Sequence, residues 1–350
     1  MSNTTAITTP LVACLESLLS PTLPTAAPAN ADTPALDLLP PATLAKLKNL
    51  GHTRIRDMRA LGHTRQVLSH LPVSASPQMC SKLNNALEAA TRMQTDKMVA
   101  LALLPSGKGE GKEAARELQR CVTKLKFVGG VVAVGNGLAD QSFDEVWGTA
   151  QKFGVPVVLR EGWPTGAEIA EYTQGLPSTA IAPLVTNLHI AHTASPMPVL
   201  RLYLDGVFDR HPSLRLAIAH PGTLPSLIPR IDAVLASIPS ENKPKRGFLD
   251  VWQHNFYLTT ADALDLSSMR MLLEQIPMDR VLYASNYPLE ERGGKLMTEL
   301  KASGFLTEEE WERLAWRNAQ YLFKLSKLES GPYGANTRTI ARPGQHMVFA

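Results

Sequence analysis

Apolar and polar positions alternate along most of this chain in two rhythms. Short, nearly continuous apolar runs occur at Thr64–Ser69, Met98–Leu104, Phe127–Val134 and Pro156–Leu159. They recur at Leu214–Ala219, Asn255–Thr260 and Arg280–Ser285. Helix-period stretches separate them at Met79–Lys97, Lys112–Lys126, Phe143–Phe153, Pro196–Asp209, Leu264–Gln275 and Thr307–Leu325. Thr307 and Glu310 form a capping box at the start of the last. Runs that are apolar on both faces belong to strands covered by helices, and their alternation with helices makes the sheet parallel. Together with space for one more strand upstream of a helix over Pro41–Leu61, the pattern predicts an α/β fold of the (β/α)8 TIM-barrel type. Whether the first strand forms, or is degenerate, is left open by the pattern. A doubly wound sheet competes, but no G-x-G-x-x-G follows the first clear strand.

The flanks read differently. Residues 21–41 carry Pro21, Pro24, Pro28, Pro34, Pro40 and Pro41 among Ala and Thr, so residues 1–41 are expected to form an extended arm. The barrel is then assigned to residues 42–328 and a Gly-, Pro- and Arg-containing tail to 329–350. The chain has 350 residues, of which 44% are hydrophobic and 19% charged, enough for a large core. Its net charge of +3 is spread over interspersed signs with no basic, aromatic-bearing stripe, which argues against nucleic-acid binding. Runs such as Met98–Pro105 are too short to cross a bilayer. Cys14, Cys80 and Cys121 form no C-x-x-C pair, and no Lys or Arg precedes the apolar Leu11–Leu19, so a reducing, cytoplasmic setting is expected. Gly107–Lys112 is a solvated turn rather than a phosphate loop, because Glu113 stands where Ser or Thr is needed.

In such a barrel the chemistry gathers at the C-terminal strand ends. Those ends present His70, Asn136, Arg160 with Glu161, His220, Thr260 and Asn286. Arg160, Glu161 and His220 ionise and make a candidate acid–base site, with Asn286, Asn136, Thr260 and His70 as substrate contacts. Trp163 and Tyr257 are candidate walls for a flat ring. His189 and His192 fall at i and i+3, but no third metal ligand lies near them in sequence, so a surface position is expected.

Several segments carry a resemblance: "VLRLYLDGVFDRHPSLRLAIAHPGTLPSLIPRID" (Val199–Asp232), "NFYLTTADALDLSSMRMLLEQIPMDRVLYASNYPLEE" (Asn255–Glu291) and "NAQYLFKL" (Asn318–Leu325). "RDMRALGHTRQVLSHLP" (Arg56–Pro72) and "FDEVWGTAQKFGVPVVLRE" (Phe143–Glu161) extend it toward the N-terminus. They resemble the amidohydrolase-related decarboxylases, a family that includes aminocarboxymuconate-semialdehyde decarboxylase and the hydroxybenzoate decarboxylases. The resemblance implies a barrel over roughly Leu44–Leu325. It also implies metal ligands that this chain lacks. The family has His-x-His or Glu-x-His on its first strand, and here no histidine precedes His52. Arg160 stands where the family keeps a ligating His, and Asn286 where it keeps a ligating Asp. The family's H-x-G-E reads His220-Pro-Gly-Thr223, so its Glu is missing.

A guanidinium about 4 Å from a unit charge repels it by roughly 4 kcal/mol at an effective dielectric of about 20, and a dication by about twice that. Loss of a carboxylate removes the main attraction as well, so no metal and no other cofactor is expected. The expected function is metal-independent, decarboxylase-like lyase chemistry on an aromatic or polyketide-type carboxylic acid. Arg160 would clamp oxygens, His220 move the proton, Asn286 meet an oxyanion and Glu161 orient its neighbours. A metal-free cyclase or isomerase of specialised metabolism uses the same groups, and a non-catalytic ligand- or partner-binding barrel is the third reading. The expected partner is a small acidic substrate, with no nucleic acid and no membrane. The resemblance implies a homodimer.

Overall fold

The computed structural model describes residues 9–23, 34–135, 138, 140–189, 195–290, 292 and 294–326, side chains at 172, 178 and 189 excepted. The β-rich runs form parallel strands: β1 Val12–Leu18, β2 Arg65–His70, β3 Met98–Ala100, β4 Ala102–Leu103, β5 Gly130–Val134, β6 Val157–Glu161, β7 Leu216–Ile218, β8 Phe256–Thr259 and β9 Val281–Leu282. Each pairs with its sequence neighbour, β1 to β3 in one ladder and β4 to β9 in the other. The two ladders meet at Leu101, between β3 and β4, whose N–H donates to Leu68 O at 2.9 Å. β3 and β4 are therefore halves of one stave, giving eight staves among the described residues. The wall closes where Cys14 N–H donates to Tyr283 O and Ser17 N–H to Tyr287 O, both at 2.8 Å.

Alternation along each strand sorts the side chains into two layers. Val12, Cys14, Leu103, Val131, Val158 and Tyr257 pack together inside the barrel. Leu68, Val132, Leu159 and Leu258 face outward against helices that supply Trp147 and Phe208. Complete burial of a side chain such as Phe208 contributes roughly 1.5–3 kcal/mol. Local signals end the helices. Ser76 accepts from Met79 N–H at 3.3 Å to start helix Pro77–Thr91. Gly154, at φ 58°, closes helix Asp144–Phe153 in the left-handed region that favours glycine. The Thr307–Glu310 capping box is present, but its helix is interrupted by a π-helical turn at Arg313–Arg317. The helix expected over Pro41–Leu61 is two helices, Pro41–Lys48 and His52–Ala60, because Asn49 Oδ1 accepts from Gly51 N–H at 2.9 Å and turns the chain.

The N-terminal assignment is corrected by the fold. Val12–Leu18 is not arm but a stave, buried along its whole length. Residues 34–39, also assigned to the arm, pack inward as well: Leu36 and Leu39 join Leu19, Leu71, Trp163 and Leu289 in an apolar layer. Those last four follow β1, β2, β6 and β9, so the layer lies over the C-terminal end of the barrel. An isolated bridge from Pro34 to Thr165 and the bond from Ala35 N–H to Pro164 O (2.9 Å) fasten it. Pro34 and Pro40 flank a short 3-10 turn at Leu36–Leu38 that carries Leu36 into this layer. Among the described residues no helix is long and apolar enough to cross a membrane.

Candidate active site at the barrel mouth

β6 places Val158 in the barrel interior, and strand alternation turns Arg160 the same way. The guanidinium is buried, with 2% of its surface exposed. Its Nη2 donates to Ser17 Oγ at 2.6 Å and its Nη1 to Ser69 Oγ at 3.4 Å, while Nε–H has no partner among the described residues. Ser17 and Ser69 are register partners on β1 and β2, so the side chain spans the bore from the opposite wall. Burial lowers its pKa to about 10, with the charge of Glu16 working the other way, so the group remains a cation at neutral pH.

The presentation of Ser17 depends on an irregularity in β1. The register with β2 slips between Ala13 and Glu16, and Leu15 adopts φ 62° to absorb the extra residue. Ser17 then pairs with the inward Ser69, and Glu16 with the outward Leu68. The Glu16 carboxylate accepts from Ser285 N–H (2.8 Å), Ser285 Oγ (3.0 Å) and Tyr287 N–H (2.6 Å). Burial lifts its pKa to about 7 against these bonds and the charge of Arg54. Arg54 stacks on the Tyr287 ring at 5.1 Å and donates to Ser17 O at 2.9 Å.

His220 follows β7 and is buried. Its Nδ1 lies 3.0 Å from Asp262 Oδ1, and Asp262 Oδ2 accepts from Gly222 N–H at 2.7 Å. Burial alone would raise the Asp262 pKa, but the bonds from His220 and Gly222 and the charge of Arg292 hold the carboxyl below its usual range. His220 shares a narrow cavity with Glu161, Leu159, Ile218 and Leu224. Its free space of about 20 Å³ is enough for one water. Asn286 is buried at φ 60°, a conformation Asn tolerates better than most residues. Its Nδ2 donates to Glu290 Oε1 at 3.0 Å, Glu290 pairs with Arg292 at 2.5 Å, and Arg292 donates to the carbonyls of Ala261 and Ala263. Asn286 is thus wired to the residues on either side of Asp262.

A family model described as amidohydrolase matches residues 40–325, most of the chain. The chain belongs to the amidohydrolase family. The matched span begins after β1, which lies at Val12–Leu18. Decarboxylase orsB of Emericella nidulans is 31% identical over 301 residues, 81% of this chain and 88% of that one. A gamma-resorcylate decarboxylase of Rhizobium sp. is 29% identical over 304 residues, 80% of this chain and 89% of that one. The crystal structure of a dihydroxybenzoic acid decarboxylase from Polaromonas sp., with bound manganese and the inhibitor 2-nitroresorcinol, superposes with a TM-score of 0.72 at 25% identity. That match covers 92% of this chain and 98% of the Polaromonas chain. The eight-stave wall is the TIM barrel of these relatives.

Several strand-end residues are committed to bonds inside the protein. His70 has both nitrogens engaged inside the protein: Nε2 accepts from Ser20 N–H at 3.0 Å and Nδ1 lies 2.7 Å from Leu71 O. It presents neither to a ligand. Thr260 Oγ1 is likewise consumed, bonded to both Ala284 O (3.2 Å) and Ala284 N–H (3.0 Å). Tyr257 points into the barrel as strand parity requires, but at the wrong height. Arg280, which precedes β9, stacks on its ring at 4.9 Å and bonds its hydroxyl, placing it toward the N-terminal end. Trp163 is packed in the apolar layer, with Nε1 donating to Ala35 O at 3.0 Å. Asn136, His192 and the side chain of His189 lie outside the described residues. Asp262 was missed by sequence reasoning. Its only signal was a carboxylate just past the end of the strand next to that of His220.

Burial also determines the charge state of His70, whose pKa falls from 6.5 to about 4. The unfolded chain therefore takes up a proton below 6.5 that the folded chain refuses until about 4, and the stability contribution is lost as pH falls through that window. Denaturant titrations should show unfolding free energy rising with pH across it. In His70→Gln the slope should flatten by about one proton; an unchanged slope would show that His70 is not held neutral.

Among the described residues no three His, Cys, Asp or Glu side chains gather where they would hold a metal ion. Of Arg160, His220 and Asn286, only the imidazole is a good ligand, and the guanidinium is a fixed cation.

Proposed function

We propose that this protein is a carbon–carbon lyase that decarboxylates an aromatic or polyketide-type hydroxy acid without a metal. The observation that carries this reading is the buried Arg160 cation, braced by Ser17 and Ser69 with its Nε–H unbonded among the described residues. The relatives that bear the name decarboxylase support the reaction class.

In non-oxidative decarboxylation of an ortho-hydroxy acid, the ring carbon bearing the carboxylate takes a proton. The carbon–carbon bond then breaks, its electron pair returns to the ring, and CO₂ leaves. A cation gripping the carboxylate stabilises the ground state and opposes this departure. Arg160 therefore serves the reaction from the phenolic oxygen, where it favours the ionised phenol that makes the ring carbon basic. His220 supplies the proton from Nε2, because Nδ1 is committed to Asp262. Asp262 fixes that tautomer and stabilises the protonated ring. Asn286 offers the substrate the Nδ2 hydrogen that Glu290 does not use. Glu161 flanks His220 in the cavity and helps to orient it.

The test is CO₂ release from 2,6-dihydroxybenzoate and related hydroxybenzoates by purified protein, with and without excess chelator, alongside elemental analysis. Turnover that persists in chelator, on protein with far less than one metal per chain, is the expected result. Turnover that vanishes in chelator and returns with manganese would overturn the metal-free reading. A product that keeps its carboxyl group would move the assignment to a cyclase or isomerase.

A further inference from the structure

Three hydrogen bonds to one buried carboxylate bracket the Asn286 position. Glu16 accepts from the peptide N–H of Ser285 and of Tyr287, the residues on either side, and from the Ser285 hydroxyl. β9 ends at Leu282, so Asn286, in its left-handed conformation, lies beyond the strand, and its own carbonyl accepts from Glu290 N–H at 3.0 Å. The remaining attachments in this corner reinforce the same grip. Ser17 N–H donates to Tyr287 O at 2.8 Å, and Tyr287 OH donates to Asp57 at 2.8 Å.

We propose that Glu16 is a positioning residue for the active site: by gripping the two peptide units that flank Asn286, it sets the Asn286 amide at the barrel mouth. The carboxylate comes from the first stave, faces the outer layer and acts through the backbone of the last. This inference rests on the proposed lyase reading for its kinetic readout, but not for its structural one.

Glu16→Gln keeps the shape but replaces one acceptor oxygen with a donor aimed at backbone donors. With hydroxybenzoate as substrate, kcat should fall by about ten- to a hundredfold with KM within about twofold, as for a misplaced catalytic group. The same change in an Asn286→Ala background should cost little more than Asn286→Ala alone. An equal loss in both backgrounds would show that Glu16 acts elsewhere and overturn the proposal. If the wild-type protein turns over no hydroxybenzoate, the lyase reading fails by itself. The inference is then read from the Asn286 side-chain amide in a ¹H–¹⁵N spectrum, assigned by its disappearance in Asn286→Ala. That resonance should shift in Glu16→Gln, and an unmoved resonance would overturn the proposal. Should Glu16→Gln not fold, Ser285→Ala removes one of the three bonds while keeping the charge, and the same two readouts apply.

Discussion

Arg160→Met should lose activity by about 10³-fold or more while the protein keeps or gains stability. The two halves of this expectation have one cause. The guanidinium is buried and, among the described residues, no carboxylate bonds to it; its partners are two serine hydroxyls. Such a cation pays a desolvation cost that neutral hydroxyls offset only in part, and an apolar chain of similar length removes the cost. Active sites retain groups of this kind because the strain is useful. Arg160→Lys keeps the charge but not the fork, so it cannot serve Ser17 and Ser69 together and still present Nε–H; about a hundredfold loss is expected. Steady-state kinetics beside thermal melts decide the matter. A large fall in Tm with little change in kcat would make Arg160 a structural strut.

The second large effect is expected at Asp262. Asp262→Asn leaves the His220 contact sterically intact but offers an amide where the imidazole Nδ1–H needs an acceptor. The ring is then free to take the other tautomer, and kcat should fall by about 10³–10⁴-fold, comparable to His220→Ala. Because the two residues act as a unit, the double variant should be no worse than His220→Ala alone. If Asp262→Asn is nearly fully active, His220 is not held by it during turnover and another group must supply the proton.

How far the chain could be read without its structure depended on the range of the interactions. Strands β2 to β9 were legible because each is a local apolar run between helix-period stretches. β1 was not, since Val12–Leu18 carries Glu16 in its middle, sits beside the prolines and looks amphipathic in neither rhythm. Its stabilisation comes from residues about 50 and 270 positions away, Thr64–His70 and Tyr283–Tyr287. The site was legible in part. Arg160 and His220 stand at strand ends and were found by position alone. The serines that brace Arg160 and the carboxylate that holds His220 come from other staves, and only the closed wall brings them together. His70, Thr260 and Tyr257 show the converse error. Position put them at the mouth, whereas their bonds run to backbone carbonyls, amides and an arginine within the body of the protein.

The late place of β1 in that reading has a practical side. A polypeptide trimmed to begin at Pro41 would look self-sufficient by its apolar pattern and would retain nearly all of the matched family span. It would nonetheless leave Tyr283 and Tyr287 with unsatisfied carbonyls along an open seam and would strip Arg160 of its better hydroxyl partner. Seven staves do not make a smaller barrel but an unzipped one with a raw edge, prone to pair with a neighbour.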